Sequence, residues 1–226
     1  MPKYGIDFSY VGANATAAEW EAAITPQTKM IYLETPTNPG LDVVDISMVS
    51  AIAKKHNIIL NVDNCFATPI GQTPIDLGAD LVVHSATKWI DGQGRVLGGA
   101  IVGRKDLIHD IYLFCRSTGP SLSPFNAWVL SKSLETLEVR MDRHCSSAQY
   151  IAEKLEGNDK INFVKYPFLT SHPQHAIAKA QMKNGGGIVC FELKGGIEAG
   201  RKFLNQIKML SLTANLGDSR SIASHP

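Results

Sequence analysis

Lys88 follows the apolar run Leu81-Val82-Val83-His84, is flanked by Ser85 and Thr87, and is succeeded by a glycine-rich stretch from Gly92 to Gly99. A charged group at the exit of so apolar a segment calls for a partner or a use. A lysine amine can form an imine with an aldehyde and, once released, move protons. Ser85 and Thr87 carry the short hydroxyls that a phosphate wants. They are equally suited to cap a helix, and the two readings are compatible because helix N-termini bind anions. An aldehyde on a phosphorylated pyridine ring, pyridoxal phosphate, would use both features. It needs in addition a carboxylate that keeps the ring nitrogen protonated and groups that cover the ring faces.

The carboxylate candidate is Asp63, which ends the run Ile58-Ile59-Leu60-Asn61-Val62 with no charge among those residues. A turn or cap aspartate is the other reading of such a residue. If the strand continues, its two-residue period puts Cys65 on the same side as Asp63, within reach of a ring held there. The glycine segment from Gly92 to Gly99 lacks the spacing and the preceding strand of a dinucleotide fingerprint and reads as a tight loop near the site. His84 reads as a core histidine at a strand end, and His172-Pro173 as a structural loop.

Elements in the right order must bring these residues together. Pro2 to Tyr10 alternates Ile6, Phe8 and Tyr10 with Asp7 and Ser9, as a strand does. Thr16-Ala17-Ala18-Glu19 is a capping box opening a short helix through Trp20 and Ile24. A buried strand, Met30 to Glu34, runs into the loop Thr35-Pro36-Thr37-Asn38-Pro39-Gly40. Asp45 caps a helix with Ile46, Val49, Ile52 and Ala53 on one face and Lys54-Lys55 in its last turn. Strands follow at Ile58 to Val62, Leu81 to His84 and Ala100 to Val102, with a turn and a one-turn helix at Pro74 to Asp80. This succession predicts a parallel or mixed sheet with helices on its faces, and chemistry beyond its strands' carboxyl ends. Glu34 to Asn38, Asp63 to Thr68 and Ser85 to Lys88 all lie there.

From Pro124 one long helix is expected, Phe125 to about Leu155, with Trp128, Val129, Leu134, Leu137 and Ile151 as core positions. Beyond it the chain reads strand (Ile161 to Tyr166), helix (Gln174 to Gln181), strand (Gly187 to Leu193), helix (Gly196 to Ile207) and strand (Met209 to Thr213), an α+β layer. The expected division is residues 1–123 for a cofactor-binding α/β portion, 124–155 for a linking helix and 156–226 for part of a second domain.

Composition narrows the function. With 226 residues, 44% of them hydrophobic, and a net charge of +1, the chain is of an ordinary globular kind, with no charge excess to suggest nucleic acid or an anionic membrane as partner. No apolar run is long enough to span a bilayer. The four cysteines, Cys65, Cys115, Cys145 and Cys190, are widely spaced and three lie in apolar stretches, which suggests buried thiols in a reducing cytoplasm and neither disulfide nor metal site. The start in mid-strand and the abrupt close at Ser224-His225-Pro226 suggest a fragment.

Taken jointly, Tyr32-Leu33-Glu34-Thr35-Pro36-Thr37-Asn38-Pro39, Val62-Asp63-Asn64-Cys65-Phe66-Ala67-Thr68-Pro69, Leu77-Gly78-Ala79-Asp80 and His84-Ser85-Ala86-Thr87-Lys88 resemble the Cys/Met-metabolism family of pyridoxal-phosphate enzymes. The similarity continues through Arg140-Met141-Asp142-Arg143-His144, Ser171-His172-Pro173-Gln174-His175 and Asn215-Leu216-Gly217-Asp218. It implies the aspartate-aminotransferase-like fold (fold type I): a large α/β domain and the start of an α+β C-terminal domain. It makes Lys88 the imine lysine, Asp63 the ring-nitrogen partner, Ser85 and Thr87 phosphate ligands, and Asn38 a neighbour of the phenolic oxygen. Cys65 stands where much of the family has a threonine packed on one ring face. Asn215, where the lyases more often have serine, lies near the substrate carboxylate and points to the sulfhydrylase branch. That branch joins sulfide to O-succinyl- or O-acetylhomoserine in methionine biosynthesis, in homodimers or homotetramers. The relatives of another branch make cystathionine or eliminate from methionine or cystathionine. Family subunits also carry a preceding segment with a phosphate loop and a ring-stacking tyrosine, and a later arginine for the substrate carboxylate. A reading of another class is therefore a truncated chain without catalysis.

Overall fold

The computed structural model describes residues 2–225. Its centre is a sheet in the order β1-β2-β3-β4: β1 (Met30–Glu34), β2 (Ile59–Asp63), β3 (Leu81–Ser85) and β4 (Gly99–Gly103). The first three strands are parallel, with Glu34 opposite Asp63, and β4 returns antiparallel with Ser85 opposite Gly99. The sheet is mixed, as the sequence predicts, and Glu34, Asp63 and Ser85 are the last residues of their strands.

One face of this sheet is the principal core. Ile31, Leu33, Leu60, Val62 and Val82 pack against Trp20 of α1 (Ala17–Ala22) and Ile46, Val49, Ile52 and Ala53 of α2 (Ile46–Lys55). Both helices start where the sequence says. The Thr16 hydroxyl accepts from Glu19 N–H while the Glu19 carboxylate takes the Thr16 N–H, and Asp45 accepts from Met48 N–H at 2.9 Å. The segment between β2 and β3 is tied down by Asp80, whose carboxylate accepts from Leu60 N–H at 2.9 Å. Gly78 makes the turn there with φ +99°, and a Cβ on it would fall 2.2 Å from Ser50 Oγ. The turn at Pro74 to Asp80 contains no helix; the short helix lies earlier, at α3 (Thr68–Gly71).

Three expectations need larger correction. Pro2 to Tyr10 is not a strand: Pro2–Tyr4 is one 3-10 turn and the following residues are irregular, with Phe8 58% and Tyr10 93% exposed. Alternation without a partner strand cannot hold an extended segment. Next, an unexpected helix, α4 (Lys105–Thr118), follows β4. Lastly, the long helix is two, α5 (Pro124–Leu134) and α6 (Leu137–Leu155), separated at Glu135 and Thr136. The break turns the apolar stripe, so Val129 and Leu137 are buried as expected, whereas Trp128, Leu134 and Ile151 are about half exposed.

The rest of the chain forms β5 (Ile161–Lys165), α7 (His175–Gln181), β6 (Cys190–Leu193), α8 (Gly196–Gln206), β7 (Ser211–Leu212) and β8 (Ile222–Ala223). The strands make two small ribbons, β5 antiparallel to β6 and β7 parallel to β8, rather than one layer, and the expected strand at Met209 to Thr213 shrinks to Ser211–Leu212. Helix α6 spans the two halves: Leu137, Met141 and Cys145 meet Trp89 beside β3, and Ala148 and Ala152 meet Tyr166 and Leu169. All four cysteines are free; Cys145 is buried and the other three are only partly so, short of the expected burial. No described helix is long and apolar enough to cross a membrane.

Leu60 sits at the centre of the sheet with no exposed surface. Leu60→Ala should lower unfolding stability by about 3 kcal/mol, read as a shift in the urea midpoint at constant slope.

Candidate active site

The three parallel strands deliver their last residues to one edge of the sheet, and the loops beyond them hold the candidate groups. Asp63 ends β2. Its Oδ1 accepts from Cys65 N–H at 3.0 Å, an aspartate bonding the backbone two residues on, and its Oδ2 accepts from the Tyr32 hydroxyl at 3.3 Å. Cys65 therefore reaches Asp63 through a turn, not through the strand period the sequence suggested, since β2 stops at Asp63. The Cys65 sulfur in turn accepts from Ser85 N–H at 2.7 Å, which brings the end of β3 against the same carboxylate.

No helix begins at Ser85 or Thr87. The chain after β3 makes successive turns, with Lys88 N–H on Ser85 O at 3.2 Å, Asp91 N–H on Ala86 O at 2.9 Å and Gly92 N–H on Lys88 O at 2.8 Å. The Thr87 hydroxyl accepts from Gly98 N–H at 3.2 Å and so pins the glycine-rich loop to the lysine turn. Lys88 Nζ donates to Asn215 Oδ1 at 2.9 Å. Asn215 lines a cavity of about 360 Å³ together with Gly94, Ser211, Thr213, Asp218 and Arg220. Asn38 is exposed in its loop, where its main-chain N–H meets the Glu34 carboxylate. The structure thus joins Asp63, Cys65 and Ser85 in one cluster and Lys88 with Asn215 in another, with Thr87 adjoining the lysine. Asn38 makes no hydrogen bond to either cluster among the described residues.

Several contributors were not singled out from sequence. The Tyr32 phenol shares the exposed face of β1 with Glu34, and burial together with Asp63 pushes it up to about 12. Its signal was its place two residues before Glu34 on a strand leading to the site. Gly217 lies against the lysine turn with φ +78°; a Cβ on it would come 2.5 Å from Trp89 N. Arg140 spends its guanidinium on main-chain carbonyls, Trp89 O at 2.6 Å, Ile90 O at 3.2 Å and Ser133 O at 3.0 Å, and so holds the far end of that turn. Buried Asp91 accepts from Arg95 N–H at 2.6 Å and pairs with the Arg95 guanidinium at 3.0 Å. His172 is structural as expected: Nε2–H faces Leu41 O at 3.1 Å while Nδ1 accepts from Gln174 N–H.

The electrostatics of the Asp63 cluster are one-sided. Burial, then the neighbouring Asp63, raises Glu34 above the ordinary carboxylate range, and burial with the Asp63 carboxylate pushes the Cys65 thiol up to about 12. Among the described residues no lysine, arginine or histidine forms an ion pair with Asp63.

Compared with known proteins, the whole chain, residues 1–226, matches the family described as Cys/Met metabolism PLP-dependent enzyme. The chain belongs to that family. It is 46% identical over 224 residues to an O-succinylhomoserine sulfhydrylase of Pseudomonas aeruginosa, covering 99% of this chain and 55% of the relative. It is 47% identical over 227 residues to an L-methionine gamma-lyase of Pseudomonas deceptionensis, covering 99% and 57%. Among solved structures, metB from Corynebacterium glutamicum superposes with a TM-score of 0.96 at 40% identity, covering all of this chain and 58% of that one. Cystathionine gamma synthase from Xanthomonas oryzae pv. oryzae gives 0.88 at 38% identity, over 93% and 54%. The chain thus spans a little over half the length of these relatives, and it carries the fold of fold type I enzymes.

The family's cofactor, pyridoxal phosphate, fits the residues present. Asp63 is a half-buried carboxylate met only by neutral donors among the described residues, an environment in which it could pair with a protonated ring nitrogen. The Lys88 amine faces an uncharged carboxamide.

The thiol of Cys65 gives a direct check. With its pKa raised from the ordinary value of about 8.5, it favours the folded state fully below that pH, and the contribution is lost as pH climbs towards 12. At pH 8, iodoacetamide should alkylate Cys65 at least about tenfold more slowly than a free cysteine, as followed by peptide mass spectrometry, because the smaller thiolate fraction outweighs the greater nucleophilicity of a higher-pKa thiolate; a free-cysteine rate would contradict this environment.

Proposed function

We propose that this chain forms the lysine-bearing part of an enzyme that replaces the γ-ester of O-succinyl- or O-acetylhomoserine with sulfide, giving homocysteine and the free acid. The observation that carries the reading is the contact of Lys88 Nζ with Asn215 Oδ1 at 2.9 Å, because it sets an amine base beside a carboxamide on the wall of a cavity. In the lyases of this family that position is more often serine.

Pyridoxal phosphate, when bound, supplies a ring that withdraws the electron pair left when a proton departs from the substrate's α-carbon. The other steps belong to the chain's own residues. Asp63 would keep a proton on the ring nitrogen and so preserve that electron demand. Lys88 Nζ, as a free amine, takes the α-proton and then serves the β-proton, so that the γ-ester departs as a carboxylate and sulfide takes its place. Ser85 and Thr87 would hold the phosphate, Asn38 would address the phenolic oxygen and Cys65 would cover the ring. Asn215 orients the substrate carboxylate and, before substrate arrives, holds the lysine. The full-length protein would act on these amino-acid esters as a homodimer or homotetramer.

The similarity to methionine gamma-lyases supports a second reading, in which the same residues eliminate from methionine without an added nucleophile. The two separate cleanly in product analysis of the full-length protein. O-succinylhomoserine or O-acetylhomoserine with sulfide should yield homocysteine; release of methanethiol from methionine, with no homocysteine from either ester, would favour the lyase. Lys88→Ala should abolish turnover by at least about a thousandfold and remove the lysine label that borohydride fixes in the cofactor-loaded protein.

A further inference from the structure

We infer that Gln72 is a positioning residue that locks together the loops leaving β1 and β2, next to Asn38 and Asp63, and thereby sets the angle at which the Asp63 carboxylate meets its partner. The inference deepens the cofactor reading above and rests on it.

Gln72 follows α3 and is 1% exposed. Its carboxamide is fully used. Nε2 donates to Thr35 O at 3.1 Å and to Asn64 Oδ1 at 2.9 Å, while Oε1 accepts from Gln181 Nε2 at 3.0 Å. Its main-chain oxygen accepts from Asn64 Nδ2 at 2.9 Å, so the two amides pair reciprocally. The reverse orientation of Gln72 would set Oε1 against the Thr35 carbonyl, so the network admits one arrangement.

What it joins is specific. Asn64 is the residue after Asp63, and its N–H donates to Val83 O at 3.1 Å. Thr35 is the residue after Glu34 and opens the loop to Asn38; its N–H reaches Asp63 O at 3.3 Å, and its hydroxyl accepts from Val44 N–H at 3.0 Å. Gln181, on α7, also takes Ile46 N–H at 3.2 Å and donates to Val44 O at 3.0 Å. One buried amide therefore fixes the backbone immediately beyond β1 and β2, and is itself oriented by a helix from the far half of the chain. A site needs such support to hold its groups within a fraction of an ångström. An apolar side chain of similar length would fill the volume without binding these loops, so filling alone does not account for an amide here.

The test uses the full-length protein with pyridoxal phosphate, as wild type, Gln72→Met, Asp63→Asn and the double variant. The readouts are the cofactor's dissociation constant and the pH midpoint of its visible absorbance, with thermal unfolding as a check on folding. Gln72→Met should weaken cofactor binding about tenfold or more and move the pH midpoint in the same direction as Asp63→Asn. In the Asp63→Asn background it should move the midpoint little further, because the two changes act through one carboxylate. A folded Gln72→Met protein with wild-type affinity and midpoint, or one whose shift adds in full to that of Asp63→Asn, overturns the inference. Should Gln72→Met not fold, Gln181→Met, which releases Gln72 Oε1, is judged by the same two readouts. Wild-type protein that takes up no cofactor overturns the cofactor reading, and this inference with it; that outcome is recognised from the control alone.

Discussion

A carboxylate at the end of a buried strand is the constraint on which this site depends. Leu60 and Val62 are fully buried just before Asp63, and β1 and β3 flank it on both sides. An anion there is tolerable only if hydrogen bonds or a cation offset its lost hydration. The chain supplies hydrogen bonds from Cys65 and Tyr32 but no cation among its described residues. Its neighbours Glu34, Tyr32 and Cys65 are all held towards their protonated forms, chiefly by their own burial and secondarily by the Asp63 carboxylate. In the proposed function, that arrangement would leave the Asp63 carboxylate to pair with a positively charged guest.

The second constraint is contact between distant segments at the lysine turn. Gly217 approaches the main chain at Lys88 and Trp89 more closely than any side chain would permit, and Arg140 binds the carbonyls of Trp89 and Ile90 from α6. Trp89 is buried between these, its ring 4.9 Å from that of His144. The turn is therefore shaped by three parts of the chain at once, which is why it needs no helix to stay in place.

Much of this was legible in the sequence because it is local. The capping box at Thr16, the Asp45 cap, the apolar strands and the succession ending in Lys88 each follow from residue type and period, and the joint spacing gave the family. Effects set by distant partners were hidden. The strand expected at Pro2 to Tyr10 had the right alternation but no neighbour to pair with. The break at Glu135 and Thr136 carries no proline or glycine to announce it. Helix α4 does carry a helical period in Leu107, Ile108, Ile111 and Cys115, a signal present in the sequence but not singled out from it, although none of its residues is fully buried in the fold. Cys65 reached Asp63 by a turn where strand geometry was anticipated, and Gln72 looked like any polar residue in a loop until its partners were seen.

The two ends of the site differ in how they are held. Asp63 is anchored by a buried sheet and by amides with every bond made, whereas Asn215 lies between β7 and β8, a ribbon of two residues on each side with Leu212 55% exposed. Elements with so few buried contacts open locally at far lower cost than the global unfolding free energy. Gly217 and buried Asp218 keep the chain just after Asn215 on the lysine turn, so the looseness is confined to the ribbon before it, and the backbone amides of Ser211 to Thr213 would exchange with solvent before those of β2. The strand end that holds Asp63 and the ribbon that leads to Asn215 therefore belong to cooperative units that need not melt together.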